Sequence, residues 1–325
     1  MVGLMMAGLT LGFFPVIRGK RMECGGGKLM HVRASSGFPS FLPKEVHQIK
    51  DPFARTLAQR IQRLPVQIGF SGSCIMSSCV KPIRQQETDP VVLLHCFDSS
   101  CLEWRRAYPL LEDAGLEVWA VDVLGWGFSD LEVLPPCDPA TKRYHLYQVK
   151  KLVLINPSVY AEGTGLTAKL PRMMAYAMVL LLKSMPLRLY ATFLMFDGIP
   201  FTTRLDWTNV GRLHSLLPWW EDATVDYILS GGYNVAAQIK QVKQTALVVW
   251  GECDNIVSNK LAMRLFCELA PNSRMRQIPD CGHLPHVEKP EAVAELIADF
   301  SRGDSCETEP NPLACGVDGV CVVDA

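Results

Sequence analysis

The sequence lacks both glycine-rich signatures of nucleotide-binding proteins. It contains no G-x-x-x-x-G-K-[ST] phosphate loop, and no G-x-G-x-x-G follows a strand-like segment. Residues 25–27 form a run of glycines, but nothing strand-like precedes them. These absences argue against the common phosphate-loop and dinucleotide-binding enzymes, and we predict no cofactor.

The chain also lacks net charge. Its 325 residues include 32 Lys and Arg against 33 Asp and Glu, a formal net charge of −1, and we find no basic stripe. Nucleic acid is therefore not expected as a partner. No zinc spacing is present either, since Cys281, His283 and His286 form C-x-H-x-x-H, which fits no standard site. We predict no metal.

Cysteine is abundant, with twelve residues, but it is not arranged as a disulfide framework. Such frameworks are typical of small secreted domains, whereas these cysteines are scattered along a long chain. We predict buried free thiols in a reducing compartment. The pairs Cys74/Cys79 and Cys96/Cys101 share a spacing that leaves a redox switch open as an alternative.

Residues 1–34 are basic and nearly free of acids. Their charged side chains are Arg18, Lys20, Arg21, Glu23, Lys28 and Arg33. This composition, running into Ser35 and Ser36, is typical of an organelle transit peptide. We predict a chloroplast location, with the cytoplasm as the alternative. A secretory signal or membrane anchor within residues 1–17 stays open, although Pro15 and the absence of a charged start weaken it.

The hydrophobic pattern predicts an α/β protein with a helical cap. Strand patterns alternate with helix patterns, as in a mostly parallel sheet with helices on both faces. Between residues 160 and 239, Met173–Leu182 and Leu187–Phe196 are apolar nearly all round but too short to span a membrane. The predicted divisions are a transit peptide (1–34), a helical extension (35–64), core (65–159), cap (160–239), core (240–300) and a loose tail (301–325).

Four motifs follow predicted strands in a fixed order. They are His95-Cys96-Phe97, Asp122-Val-Leu-Gly125-Trp-Gly127-Phe-Ser129-Asp130, Gly251-Glu-Cys-Asp254 and Gly282-His283-Leu-Pro-His286-Val-Glu288-Lys-Pro290. In this order they resemble the α/β-hydrolase superfamily, over residues 66–300. The resemblance implies hydrolysis of an ester, thioester or amide bond.

The resemblance also implies a role for each motif. His283 would be the general base and Asp254 the acid that orients it, while Phe97 would donate one oxyanion-hole N–H. Cys96 belongs to the same oxyanion-hole turn and departs from the family, which has glycine there because the chain passes close to the substrate; its thiol would narrow the oxyanion pocket. Cys96 as a substitute nucleophile is a further alternative, although its side chain should not point to the place of the family's serine. The residues expected to build the turns of the site are His95, Asp122, Gly125, Gly127 and Ser129.

The family's nucleophile segment has no counterpart between Asp130 and Lys151. A strand, a G-x-S-x-G turn and a helix belong there, and such a unit takes roughly 30 residues. Only residues 131–150 intervene, and they contain no G-x-S-x-G. We therefore predict that a central strand and its helix are missing, as in a shortened transcript product. Serine-triad catalysis would be absent, and the sheet would either re-pair or keep open edges.

Two alternatives remain open. Ser158 follows a strand and could replace the missing nucleophile, although its neighbours Asn156 and Tyr160 are not the small residues that such a strained turn favours. The chain could instead bind a small apolar, ester-like molecule without cutting it, because the cap segments are apolar. No stable membrane span is predicted, and the sequence does not indicate an oligomeric state.

Overall fold

The computed structural model describes residues 37–68, 73–86, 89–142, 149–160, 164–231, 235–269 and 273–303. The predicted transit peptide and chloroplast location concern residues outside these ranges, and they stay predictions. Most of the predicted tail also lies outside. Its first residues, Ser301 and Arg302, are still helical, so the last core helix runs further than predicted.

The strands of the described residues form two separate sheets. They are β1 (Ile61–Ile68), β2 (Ser73–Val80), β3 (Val91–Leu94), β4 (Val118–Val121), β5 (Lys151–Ile155), β6 (Thr245–Gly251) and β7 (Arg274–Ile278). One sheet has the order β1-β2-β4-β3 and the other β5-β6-β7. The sequence predicts a hairpin with strands at residues 66–70 and 74–80; β1 and β2 do pair antiparallel, with β1 starting earlier, at Ile61, and β2 is antiparallel to β4. The remaining neighbours are parallel.

The described strands change from one sheet to the other between β4 and β5, and the sequence predicts a missing strand in this interval. Within the described residues β3 pairs only with β4, and β5 pairs only with β6. No ladder among them joins β3 to β5. The described residues thus contain no pairing between β3 and β5, and the predicted loss of a central strand, with its two outcomes of re-pairing or open edges, stays a prediction.

Helices cover the sheets and build the cap. In chain order they are α1 (Pro52–Gln59), α2 (Ala107–Asp113), α3 (Pro139–Lys142), α4 (Arg172–Leu182), α5 (Met185–Met195), α6 (Phe201–Arg212), α7 (Trp220–Leu229), α8 (Ala236–Ile239), α9 (Asn259–Glu268), α10 (Pro285–Glu288) and α11 (Pro290–Arg302). Helices α4 to α7 lie in the region predicted as a cap. No single helix in the described ranges is long and apolar enough to cross a membrane.

One hydrophobic cluster spans both sheets despite the break. It includes Leu93 of β3 and Ala120 of β4 together with Ile155 of β5 and Val249 of β6. Helices α2 and α11 contribute to the same cluster and contact each other. Side-chain packing in this cluster therefore holds together two sheets that no strand pairing among the described residues joins.

The helical spacing of Phe53, Leu57 and Ile61 predicts a helix from Asp51 to Arg63 with Asp51 as its N-cap, but α1 ends at Gln59. Asp51 caps it as expected, accepting hydrogen bonds from the backbone N–H of Phe53 at 2.9 Å and of Ala54 at 3.3 Å. Ile61 was predicted to extend the helix, but it opens β1 and pairs with Val80. Strand pairing buries Ile61 just as a helix turn would, so spacing alone does not distinguish the two.

Candidate active site

The predicted acid and base lie in contact. Asp254 follows β6, His283 lies between β7 and α10, and His283 Nδ1 is 2.8 Å from Asp254 Oδ2. Both side chains are buried, with an exposed fraction of 3% for His283 and 0% for Asp254. Neighbouring parallel strands deliver the two loops to the same edge of the sheet. A carboxylate only accepts, so Nδ1 carries the proton and Nε2 is the nitrogen that can accept one.

Asp254 is held in its charged form. Burial favours the neutral acid, but His283 and a set of hydrogen bonds outweigh burial and keep the pKa of Asp254 below its ordinary value. Oδ1 accepts from the backbone N–H of Ile256 at 2.7 Å and of Val257 at 3.0 Å. Oδ2 accepts from Asn156 Nδ2 at 2.8 Å as well as from His283. A charged carboxylate can orient the imidazole and stabilise its protonated form.

Asn156 is a site residue that the sequence reasoning missed. It follows β5 at a φ of 40°, and its backbone N–H donates to Val249 O at 2.9 Å. Its Oδ1 accepts from Gly251 N at 3.0 Å, while its Nδ2 donates to Asp254. Asn156 thus fixes the acid turn to the end of β5. The only sequence signal was its position at a strand end beside the other candidates.

Ser158 lies two residues further along and is buried. Among the described residues its hydroxyl makes no hydrogen bond to His283 or Asp254. The structure thus joins the acid to the base but does not join Ser158 to them. The proposal that Ser158 replaces the nucleophile stays a prediction.

Cys96 is anchored by a buried glutamate. Its backbone N–H is 3.2 Å from both carboxylate oxygens of Glu103, and its Sγ donates to Oε2 at 2.9 Å. Burial and the Glu103 charge raise the pKa of the Cys96 thiol well above its ordinary value. Cys96 is therefore a protonated hydrogen-bond donor, and this environment does not activate it as a thiolate nucleophile.

Glu103 links the loop after β3 to the histidine loop. Its Oε1 is 3.0 Å from His286 Nε2, and the His286 ring stacks on Trp104 with centroids 4.4 Å apart. Burial favours the neutral acid, yet His286 and the other partners lower the pKa of Glu103 to about 2. Sequence reasoning did not identify Glu103, whose partner is distant along the chain.

Phe97, the expected oxyanion donor, packs among aromatic rings of the cap and core. Its ring meets Trp126 edge-on with centroids 5.0 Å apart and stacks on Tyr227 at 5.7 Å. These contacts fix the position of the loop that carries its backbone N–H. The oxyanion role of Phe97 and Cys96 stays a prediction, because it requires the position of a bound substrate.

The turn motif after β4 makes a buried polar network. Asp122 accepts from Cys101 N at 2.6 Å, from Phe128 N at 2.9 Å and from the hydroxyl of Ser78. Ser129 Oγ accepts from Ser78 N at 3.0 Å. The bond to Phe128 closes the turn on itself, the contacts with Ser78 and Cys101 join the turn to neighbouring segments of the core, and none of these contacts reaches His283.

His95 and the two glycines complete this turn. His95 Nε2 accepts from Val123 N at 2.9 Å, so its Nδ1 donates to Cys96 O at 2.7 Å. Gly125 and Gly127 have φ of 91° and 68°, and a Cβ on Gly127 would overlap the Asp122 carboxyl group. Only glycine fits there without displacing the aspartate.

A small cavity separates the Cys96 loop from the cap. It measures about 50 Å³ and is lined by Cys96, Phe97, Asp98, Ser99, Arg188, Thr192, Met195, Trp207, Thr208 and Gly211. The backbone N–H of His283 donates to Met195 O at 2.7 Å, so the cavity adjoins the histidine loop. Ligand sites for drug-sized molecules measure roughly 300–1,000 Å³, so this cavity is too small to hold a molecule of that size.

The cap is tied to the Cys96 loop through Asp98. Arg188 Nη2 donates to one carboxylate oxygen at 2.8 Å, and Trp220 Nε1 donates to the other at 2.9 Å. His214 Nε2 lies 3.3 Å from the same oxygen as Trp220. Three cap side chains thus converge on one buried aspartate, which itself has a φ of 53°.

Comparison with known proteins identifies the family. Residues 139–296 match the model of the alpha/beta hydrolase family. The alpha/beta hydrolase domain-containing protein VTE7 of Arabidopsis thaliana is 55% identical over 302 residues, covering 82% of this chain and 91% of VTE7. This chain belongs to the α/β hydrolase family. The uncharacterized hydrolase YugF of Bacillus subtilis is 27% identical over 250 residues, covering 65% of this chain and 89% of YugF.

Solved α/β hydrolase structures share the fold. A thermophilic esterase from Thermogutta terrifontis matches with a TM-score of 0.53 at 18% identity, covering 74% of this chain and 98% of the esterase. A bromoperoxidase from Bacillus anthracis matches with a TM-score of 0.57 at 15% identity, covering 74% of this chain and all of the bromoperoxidase. At these identities the likeness establishes the architecture and not the reaction.

The match to VTE7 contains positions that this chain does not fill. The matched 82% of 325 residues is about 267 residues, so about 35 of the 302 aligned positions belong to VTE7 alone. The match to YugF runs over 250 positions with 65% of this chain and leaves a similar excess.

Proposed function

We propose that this protein is an α/β hydrolase that retains the acid and base of a catalytic triad but lacks the nucleophile segment. It would then not hydrolyse esters, thioesters or amides by the serine mechanism. The observation that carries the proposal is the break between β3 and β5, at the point where the sequence has no G-x-S-x-G. The unfilled positions in the matches to VTE7 and YugF support it.

The chemistry explains why the retained residues are not enough. His283 Nε2 is available to take a proton, and Asp254 would stabilise the resulting imidazolium. A covalent acyl intermediate, however, needs a hydroxyl within hydrogen-bonding reach of that nitrogen. The second oxyanion donor would also be lost, because the family takes it from the residue that follows the nucleophile.

Restoring the missing segment tests the proposal. The VTE7 residues without a counterpart here are inserted between Lys150 and Lys151, and hydrolysis of p-nitrophenyl esters of several chain lengths is measured. We expect background rates for the natural chain and rates at least about 10³-fold higher for the insertion chain. His283→Ala in the insertion chain is expected to return the rate to background.

Activity of the natural chain itself would contradict the proposal. If it hydrolyses these esters and reacts with a fluorophosphonate probe, and Ser158→Ala abolishes both, then Ser158 is the nucleophile and the proposal is wrong. If the insertion chain folds but stays inactive, the retained Asp254–His283 pair is not a functional remnant. Sequencing of transcripts would separately reveal a longer message that encodes the segment.

A binding role without turnover is the second candidate, because the cavity combines apolar and polar walls. Met195 and Trp207 provide apolar surface, while Arg188 and Asp98 provide charge. Such mixed lining is typical of small-molecule sites. Thermal stabilisation of the natural chain by a small apolar ester, without product formation, would favour this role.

A further inference from the structure

The outer surface of the cap helices is unusually apolar. Exposed large hydrophobic side chains of the described residues concentrate on α4, α5 and α6. Met173 is 82% exposed and Leu181 is 63% exposed. We define the cap face by six such residues: Met173, Met174, Leu180, Leu181, Phe193 and Phe201. Contiguous apolar surface of this kind marks interaction sites more often than ordinary protein surface.

Helix α4 shows why this face is unusual. Ala175, Val179 and Leu182 recur at helical spacing and pack in the same cluster as Trp220 and Ile228 of α7. A helix with one buried face normally carries polar residues on the other. On α4 the other face is apolar too, so the helix has a second apolar surface without a covering element in the described residues.

The cap face is continuous between α5 and α6 and lies outside the cavity. The rings of Phe193 on α5 and Phe201 on α6 have centroids 6.5 Å apart. On their inner sides the same two helices line the cavity with Thr192 and Trp207. Helices α5 and α6 therefore lie between the cavity and the cap face.

The charge of this region favours an anionic partner. Between Lys169 and Met195 the sequence contains four basic residues and no Asp or Glu. Two of them are internal to the cap, since Arg188 pairs with Asp98 and Lys183 pairs with Glu221. Lys169, three residues before α4, and Arg172, its first residue, are both exposed, and Asp222 and Asp226 of α7 act electrostatically on Arg172. Basic side chains at the edge of an apolar surface attract anionic lipid headgroups.

We propose that the cap face docks on the surface of an anionic lipid bilayer, with α4 and α5 lying in the interface. The α4–α5 pair together has the length and composition of a span but bends by 75°. A bent apolar pair edged by basic residues suits shallow insertion beneath the headgroups. Because binding needs no catalysis, this proposal can fail or succeed independently of the proposed function.

Vesicle flotation of the full chain tests the proposal. We expect it to float with phosphatidylcholine vesicles that contain phosphatidylglycerol and to bind less to phosphatidylcholine alone. The double variant Leu180→Glu/Leu181→Glu is expected to lower the bound fraction at least about tenfold, because two apolar side chains lose their burial in lipid. The matched control Ile83→Glu/Val133→Glu changes two exposed hydrophobic residues elsewhere and should bind like the natural chain.

Hydrogen exchange of the unmodified chain makes the test independent of how the variants fold. Vesicles are expected to slow exchange in peptides covering residues 172–195. Protection confined to residues 1–17, which are also apolar, would overturn the proposal. So would protection of 172–195 without vesicles together with a dimer that Leu180→Glu/Leu181→Glu dissociates, because a second copy would then cover the face.

Discussion

Asp254 and Glu103 each use a buried carboxylate to connect segments that are distant along the chain. Asp254 binds the histidine loop and the end of β5, while Glu103 binds the Cys96 backbone and His286. Both are buried and both have a lowered pKa because their partners outweigh the cost of burial. Each therefore contributes to stability through its charge, and that contribution depends on pH.

Glu103 allows this dependence to be predicted. Its pKa of about 2 in the folded protein is below the ordinary 4.5. The stabilisation is therefore fully present above about pH 5 and is lost as pH falls towards 2, with a total of about 3 kcal/mol. We expect Glu103→Gln to lower the free energy of unfolding at neutral pH, with the difference shrinking across that range. Urea unfolding at a series of pH values measures it.

The exposed Glu45 supplies the control for this experiment. Glu45→Gln should unfold like the natural chain at every pH, since its side chain has no buried partner to lose. A constant difference between natural chain and Glu103→Gln, independent of pH, would mean that Glu103 acts through packing and not through its charge.

At the scale of a structural element, the turn from Asp122 to Asp130 holds β4 to the rest of its sheet. We expect Gly127→Ala to lower the free energy of unfolding by about 2–4 kcal/mol, because the methyl group overlaps the Asp122 carboxyl group and φ is 68°. Gly198→Ala is the matched control, as its Cβ would contact nothing within 4 Å. Equal unfolding midpoints for the two variants would contradict this role of the turn.

For the whole molecule, the break between the sheets predicts uneven local stability. Strands β4 and β6 are paired on both sides, whereas β3 and β5 are paired on one side within the described residues. We expect amides of β3 and β5 to exchange with deuterium faster than those of β4 and β6. Insertion of the VTE7 segment should slow exchange in β3 and β5. Uniform exchange in all four strands would show that the break does not weaken the sheet.

The sequence predicted the parts of the site that are local in the chain. Asp254 and His283 each sit in a short turn motif after a strand, so their meeting follows from the parallel sheet. Asn156 and Glu103 were not predicted, because Asp254 and His286, their respective partners, are far away along the chain and no sequence motif relates the two members of each pair. Ile61 was assigned to a helix because burial by a strand gives the same apolar signal.

Asp98 binds Arg188 and Trp220 of the cap and lies next to His214. These contacts restrict how a molecule can reach the cavity between the Cys96 loop and the cap. If a molecule enters by lifting α5, the helix either separates from Asp98, which breaks the buried Arg188–Asp98 ion pair, or carries the Cys96 loop with it. Helix α5 and the Cys96 loop are thus coupled through Asp98. We expect the cavity to open by a concerted motion of the two, and not by independent fluctuations of the cap.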